Sequence, residues 1–350
     1  MPKVSVHKQA QFNLTSQKVS DFSQLGLSKE QSRAEECRRI LQPEWPTIAL
    51  ALSCYGSWVF ILTCYDVLGP WLSAAMMTFL LVLHSSLQHE IIHGHPFDKR
   101  WANTLLGCPP LGLFVPFERF RDLHLLHHQD QALTDPYDDP ESNYLGTGDW
   151  DRLLPALRIL LRVNNTLFGR MLVGPMVSLI RLYRSDLRGL LQGRSELWRG
   201  YTLHCIGIVV VGLLLWTVSP MPWWLYAVSA YMTMSILKIR TFLEHRANEI
   251  VAHRTAIVEG RGLLAFLFLN NNLHALHHEA PWLPWYDLPR QYRANRRAIL
   301  HANGAYVFPS YWFVIRRYFL RSKDPVCHPL LQVPTVSQTR TKKCVGQKDS

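Results

Sequence analysis

Three short stretches of this 350-residue chain bring imidazoles together at helical spacing. In His89-Glu90-Ile91-Ile92-His93 two histidines stand four residues apart, so one helix face presents both and a single metal ion can be shared. His124-Leu125-Leu126-His127-His128 supplies three more, at i, i+3 and i+4, and His274-Ala275-Leu276-His277-His278 repeats the pattern. On a helix these offsets place three imidazoles within about one turn along one side. Taken alone, the first stretch also matches H-E-x-x-H, in which two histidines hold zinc and Glu90 is the general base of a protease, here an intramembrane one. Zinc hydrolysis needs only about three protein ligands and one metal. Eight clustered imidazoles exceed that need and point to two metal ions. All-nitrogen ligation suits iron, copper or zinc, so the spacing does not choose among them.

His245 is a further candidate ligand, because it follows an apolar segment much as His89 does. His95, between Gly94 and Pro96, is expected to sit where the helix ends and to point elsewhere; His84 and His204 lie inside apolar segments and suit structural hydrogen bonds. A ligand imidazole needs its second nitrogen held by a partner. Glu90, Asp122, Asp130, Glu244, Glu279 and Asn270, Asn271 and Asn272 adjoin the clusters and are the candidates for that work. His7 and His328 lie outside the clusters and are expected to be dispensable for turnover, unlike His127 and His277.

Something must carry these stretches to one place. The mean hydropathy of −0.02 conceals strong segregation. Four apolar segments, 46–65, 71–88, 201–219 and 221–237, are each near the roughly 20 residues that cross a bilayer. They pair as two tight hairpins, and Trp45, Trp71, Trp216, Trp223 and Trp224 flank them as interfacial residues do. Neither 46–88 nor 201–237 contains a Lys or Arg, so all 37 basic residues fall on one side, which the positive-inside rule makes cytoplasmic. The expected architecture is an all-α integral membrane protein: four transmembrane helices in two hairpins, both termini cytoplasmic, and a cytoplasmic helical cap holding a di-metal site. Segment 105–117, broken by Pro109-Pro110, reads as re-entrant or interfacial, and 170–191, with Arg170, Arg181, Arg184 and Arg188, as an interfacial helix.

The expected domain is 45–320, with a polar N-terminal tail over 1–44 and a C-terminal tail over 321–350. A short helix over 29–41, capped by Ser28, belongs to the first tail. No cleavable signal peptide is visible. Seven cysteines, odd in number and never spaced C-x-x-C, argue against a disulfide framework, an iron–sulfur cluster or a cysteine-ligated zinc site. A net charge of +11 suits an anionic membrane surface or an acidic protein partner. No nucleic-acid motif accompanies it.

H-x-x-x-H, then H-x-x-H-H 35 residues on, then a distal H-x-x-H-H beyond a second apolar hairpin resembles the three-box pattern of the membrane fatty acid desaturase superfamily, which includes hydroxylases. The resemblance covers about 71–292. It implies four membrane helices under a cytoplasmic cap, two Fe2+ ions, O2 as co-substrate, and a nine-histidine ligand set of His89, His93, His124, His127, His128, His245, His274, His277 and His278. In that pattern the extra ligand follows the last span, and His245 stands 29 residues before His274. Thr134-Asp135-Pro136-Tyr137-Asp138-Asp139-Pro140-Glu141 also looks like the loop after box two in bacterial members. The implied activity is desaturation of an acyl lipid or fatty acyl chain. Box one continues as Gly94-His95-Pro96, a form shared with alkane, lipid and carotenoid hydroxylases, so hydroxylation or ketolation stays open. No flavin, nicotinamide or haem segment is visible; an external carrier, a ferredoxin or a cytochrome b5-like protein, is therefore required. Arg119, Arg121, Arg240 and Arg246 are the residues expected to dock it.

Overall fold

A computed structural model describes residues 44–129 and 132–331. The expected helix over 29–41, His7 and Asp130 lie outside the described residues. The chain is mostly helical. Four long helices and one long amphipathic helix form the body: α1 (Trp45–Thr63), α2 (Tyr65–Ile92), α7 (Leu167–Leu191), α8 (Ser195–Val218) and α9 (Trp223–Thr241). Shorter helices follow box one and fill the region beyond the apolar segments: α3 (Arg100–Gly107), α4 (Phe117–His127), α5 (Thr147–Arg152), α6 (Pro155–Asn164), α10 (Leu263–Leu267), α11 (His274–Glu279), α12 (Leu288–Ala302) and α13 (Tyr311–Tyr318). The only sheet among the described residues is one parallel pair, β1 (Ile257–Val258) beside β2 (Val307–Phe308).

Three helices, α1, α2 and α8, are long and apolar enough to cross a membrane. The fourth apolar segment also folds as a helix, α9, but falls short of that standard. It turns Tyr226, Ser229, Thr233 and Ser235 inward and ends on Lys238 and Arg240, which lowers its apolar average. α9 packs on both α2 and α7, whereas only 6% of the most apolar window of α8 is buried in the protein. Ile206, Val209, Val210, Leu213, Leu214 and Trp216 face outward from α8. So large an exposed apolar surface requires a partner that is itself apolar.

α2 breaks in its first turns at Gly69, at φ +73, and resumes at Pro70, whose fixed φ suits a first helical turn. α2 then runs to Ile92 and stops at Gly94, again with positive φ (+98). The Pro109-Pro110 segment enters the bundle as a non-helical turn. Leu111 is buried among α1, α2, α8 and α9, and its carbonyl accepts from the Tyr226 hydroxyl at 2.8 Å. The Leu113 carbonyl is paired with His204 Nε2 (2.8 Å), and Leu106 O accepts from Tyr55, which also meets His84 Nε2 at 3.3 Å. His84 and His204 are thus structural, and the exposed carbonyls of this turn are satisfied by side chains from the helices around it.

Residues at the start of the expected C-terminal tail pack on the body. Leu145 N–H donates to Val326 O and His328 N–H to Leu145 O, while Lys323 Nζ reaches His245 O at 2.9 Å.

Candidate metal centre

Each histidine cluster sits where a helix begins or ends. His89 occupies the last turn of α2 and His93 caps it. α4 starts after Pro116 and finishes on His124 and His127, with His128 as its cap. α11 opens with His274 and carries His277 and His278 one turn later. His245 comes just after α9, in a strand-like turn that pairs with Thr255. Backbone bonds from Ala256 N–H to Glu244 O and from Ala275 N–H to Ala256 O tie the His245 and His274 segments side by side.

The nine imidazoles from these four segments converge. His89, His93, His124 and His277 form one group able to hold a metal ion, and His127, His245, His274 and His278 form a second. In each group the ligand atoms lie within 4.8 Å of one another. His128 sits between them: its Nε2 is 3.0 Å from His124 Nε2, and its ring stacks on that of His278 at 4.2 Å. Box two therefore serves both groups, His124 one and His127 the other.

The second nitrogens are held from outside. His127 Nδ1 pairs with Asp139 Oδ1 at 2.8 Å, His124 Nδ1 with Glu141 Oε1 at 2.9 Å, and His274 Nδ1 with Asn271 Oδ1 at 2.9 Å. A carboxylate or amide oxygen only accepts, so each Nδ1 is the N–H donor and each Nε2 is the nitrogen left to face a metal. Those Nε2 atoms stand close to other ring nitrogens: His93 Nε2 to His124 Nε2 at 3.0 Å, His127 Nε2 to His245 Nε2 at 2.9 Å, His274 Nε2 to His245 Nε2 at 3.1 Å. His277 Nε2 is buried with no hydrogen-bond partner among the described residues. Opposed lone pairs repel, and a cation between them removes the repulsion. Nitrogens about 2.1 Å from one cation and at right angles to each other stand about 3 Å apart. The donor set fits two metal ions.

Electrostatics prepare most of the imidazoles as neutral ligands. Burial, reinforced by neighbouring imidazoles, pushes His274 and His277 well below the usual histidine value, and His245 likewise. His127 is the exception. Burial opposes its protonation, but Glu141 and Asp139 prevail and raise it to about 9. Burial would raise Glu141 too; His127 and His124 outweigh it and hold that carboxyl far below the usual range.

Asp139 and Glu141 were not among the expected partners. Both come from the Thr134–Glu141 stretch, where the carboxylates Asp135, Asp138, Asp139 and Glu141 following box two were the available signal. Asp139 Oδ2 also accepts from Thr134 N–H (2.8 Å), Arg181 fastens the Ser142 and Pro136 carbonyls, and Arg254 the Leu133 carbonyl, so the loop is stapled over box two. Of the expected partners, Asn271 orients His274 and Glu244 Oε1 lies 3.5 Å from His274 Nδ1. Asn270 instead donates to Trp285 O, Asn272 to Val258 O, and Asp122 pairs with Arg121. Glu90, the general base of the protease reading, accepts from Trp285 N–H at 3.0 Å. His95 points away from the centre to Glu44 (2.7 Å).

The four arginines expected to dock an electron carrier are engaged within the chain. Arg119 grips buried Asp186 with two nitrogens, Arg121 lies against Asp122 and Glu118, Arg240 pairs with Glu244, and Arg246 lies over the Tyr306 ring at 4.1 Å. A guanidinium already paired with a buried carboxylate has little left to offer a partner.

Helices long and apolar enough to cross a membrane, with a histidine cage fitted to two metals beside them, mark a membrane protein with a di-metal site. The fatty acid desaturase family model matches residues 37–311, and the chain belongs to that family. Membership implies an oxidoreductase with a lipid or acyl substrate, associated with a membrane. A search of curated proteins gives no match.

Proposed function

We propose that the protein is an O2-dependent di-iron desaturase that introduces a double bond into the acyl chain of a lipid or fatty acyl substrate. The observation that carries this reading is the convergence of nine imidazoles into two four-nitrogen groups joined by His128, in a chain of this family. In it, His89, His93, His124 and His277 hold one iron, His127, His245, His274 and His278 the other, and His128 lies between them. Bound iron supplies the means to reduce O2 and to oxidise an unactivated C–H bond.

The protein's own part is to orient and exclude. Asp139, Glu141 and Asn271 fix the tautomer and tilt of His127, His124 and His274, which keeps their Nε2 atoms aimed inward. Leu87, Ile91, Ile92 and Leu269 form a buried apolar wall beside box one that keeps water from the membrane side of the centre. The reaction balances as one O2, two external electrons, two protons and two substrate hydrogens giving an alkene and two waters. The electrons come from a ferredoxin or a cytochrome b5-like carrier.

We place α1, α2, α8 and α9 across the bilayer as two hairpins, with both termini and the metal centre cytoplasmic. The absence of Lys and Arg from 46–88 and 201–237 supports this, as do Lys238 and Arg240 at the end of α9. A single domain over 45–320, with 321–331 strapped to it, carries the activity.

Lipid mass spectrometry of cells expressing the protein, with double-bond positions mapped, tests the reading. New monounsaturated chains that vanish in His277→Ala are the expected result. Products carrying only added oxygen would replace desaturation with hydroxylation or ketolation, the outcome that the Gly94-His95-Pro96 continuation shares. One zinc per chain and no iron would remove the oxygenase altogether.

A further inference from the structure

The outward face of α12 differs in kind from the other exposed helical faces. Arg290 and Arg293, and beyond a kink at Asn295 Arg297 and His301, are all exposed on it. The opposite face, Leu288, Tyr292 and Ile299, is buried against Leu273, Ala275, Leu276 and Ala280, the residues that carry and follow box three. α12 therefore packs directly on α11, the helix that carries His274 and His277. α12 itself contains no acidic residue. Arg296 is paired with Glu259 and Arg290 lies 3.5 Å from Asp287, but Arg293 and Arg297 make no ion pair with any described residue.

Exposed arginines suit either an anionic bilayer or an acidic protein, and the composition of the face separates the two. Helices that lie in a lipid interface pair their basic residues with large apolar ones. α7 does so, exposing Phe168, Leu172, Met176, Ile180 and Leu187. α13 does so as well, exposing Trp312 and Phe313 beside Arg316 and Arg317. α12 exposes no large apolar side chain. Positive charge without apolar surface fits a soluble partner of opposite charge, steered to the face and released again.

We infer that the Arg290–Arg293–Arg297 face of α12 is the docking surface for an acidic one-electron carrier protein, behind box three. The inference rests on the oxygenase reading, which requires two electrons per turnover from outside the chain. Each carrier delivers one electron, its own metal centre being oxidised as the di-metal centre is reduced, so two encounters serve each turnover.

The test uses the full chain, metal-loaded, in lipid nanodiscs. A reduced acidic [2Fe–2S] ferredoxin is the probe, and its oxidation is followed by stopped flow across a range of salt concentrations. In the unaltered protein the second-order rate should fall steeply as salt rises. The double variant R293E/R297E should lower the low-salt rate at least tenfold and flatten the salt dependence, with the milder R293Q/R297Q in between. Iron content and turnover driven by a small-molecule reductant should be unchanged in both, and R316E/R317E on α13 should leave the ferredoxin rate intact. Equal rates in the α12 variants and the unaltered protein overturn the inference, as does a loss shared by both reductants. Loss of binding to phosphatidylglycerol vesicles with an unchanged ferredoxin rate would assign the face to lipid. Failure of the oxygenase reading is distinct: the unaltered protein would then show no turnover with either reductant.

Discussion

An imidazole must be neutral to bind a metal, so the protonation of each ligand sets when the centre can load. Burial, with neighbouring imidazoles adding to it, keeps His274 and His277 neutral. His127, raised to about 9 by Glu141 and Asp139 against the pull of burial, must lose a proton first. Below that value each unit of pH removed costs this group about tenfold in apparent metal affinity. Affinity measured by competition with a chelator should therefore climb from pH 6 towards 9. Asp139→Asn takes away the carboxylate at 2.8 Å from His127 Nδ1. It should weaken binding by about 10–100-fold, the usual cost of losing a partner behind a ligand, and make the pH profile shallower. A weaker affinity with the slope retained would show that Asp139 acts only through shape. His328, expected to be dispensable, is buried beside the same loop, 3.4 Å from Thr134 Oγ1.

At the scale of elements, the bundle depends on close approaches that sequence period alone does not announce. Gly207 of α8 faces the Pro110 turn so closely that a Cβ would lie 2.6 Å from Pro110 Cδ. Gly207→Leu drives a side chain into that turn and should cost about 1–3 kcal/mol through overpacking. Thermal unfolding in detergent should reveal a lowered midpoint, whereas Gly212→Leu, with open space around its Cβ position, should leave it nearly unchanged. The apolar segments themselves were legible as helices because long lysine- and arginine-free runs have few other uses. α9 was read alike with the others, yet its inward Tyr226, Ser229, Thr233 and Ser235 give it a polar side that packs on α2 and α7. Which polar side chains turn inward depends on neighbours distant in sequence.

For the whole molecule, the centre acts as a clasp. It joins the end of α2, the end of α4, the segment after α9 and the start of α11, segments that span 89–278. Filling it should stabilise the fold by mass action, because unfolded chain cannot gather nine imidazoles. Stripping the metal with a chelator should lower the unfolding midpoint by several degrees, and readdition of iron should restore it. An unchanged midpoint would mean that packing alone holds the four segments together. The loss should be smaller in the His128→Ala variant, whose two groups no longer share a central imidazole.

The histidine spacings were decisive within each stretch, because offsets of three and four residues share a helix face whatever the tertiary context. The same local logic marked His95 as a helix-end residue and 201–219 as a long apolar helix. Which histidines join which group was beyond it. Box two is divided between the groups, and box one and box three meet across nearly two hundred residues. The orienting carboxylates arrive from a loop whose path is set by Arg181 and Arg254, and the arginines that looked available proved to be paired. Residue type and spacing are local properties, so the primary structure could specify the chemistry. Partners, pairings and free charge depend on which distant segments pack together, and only the folded chain settles them.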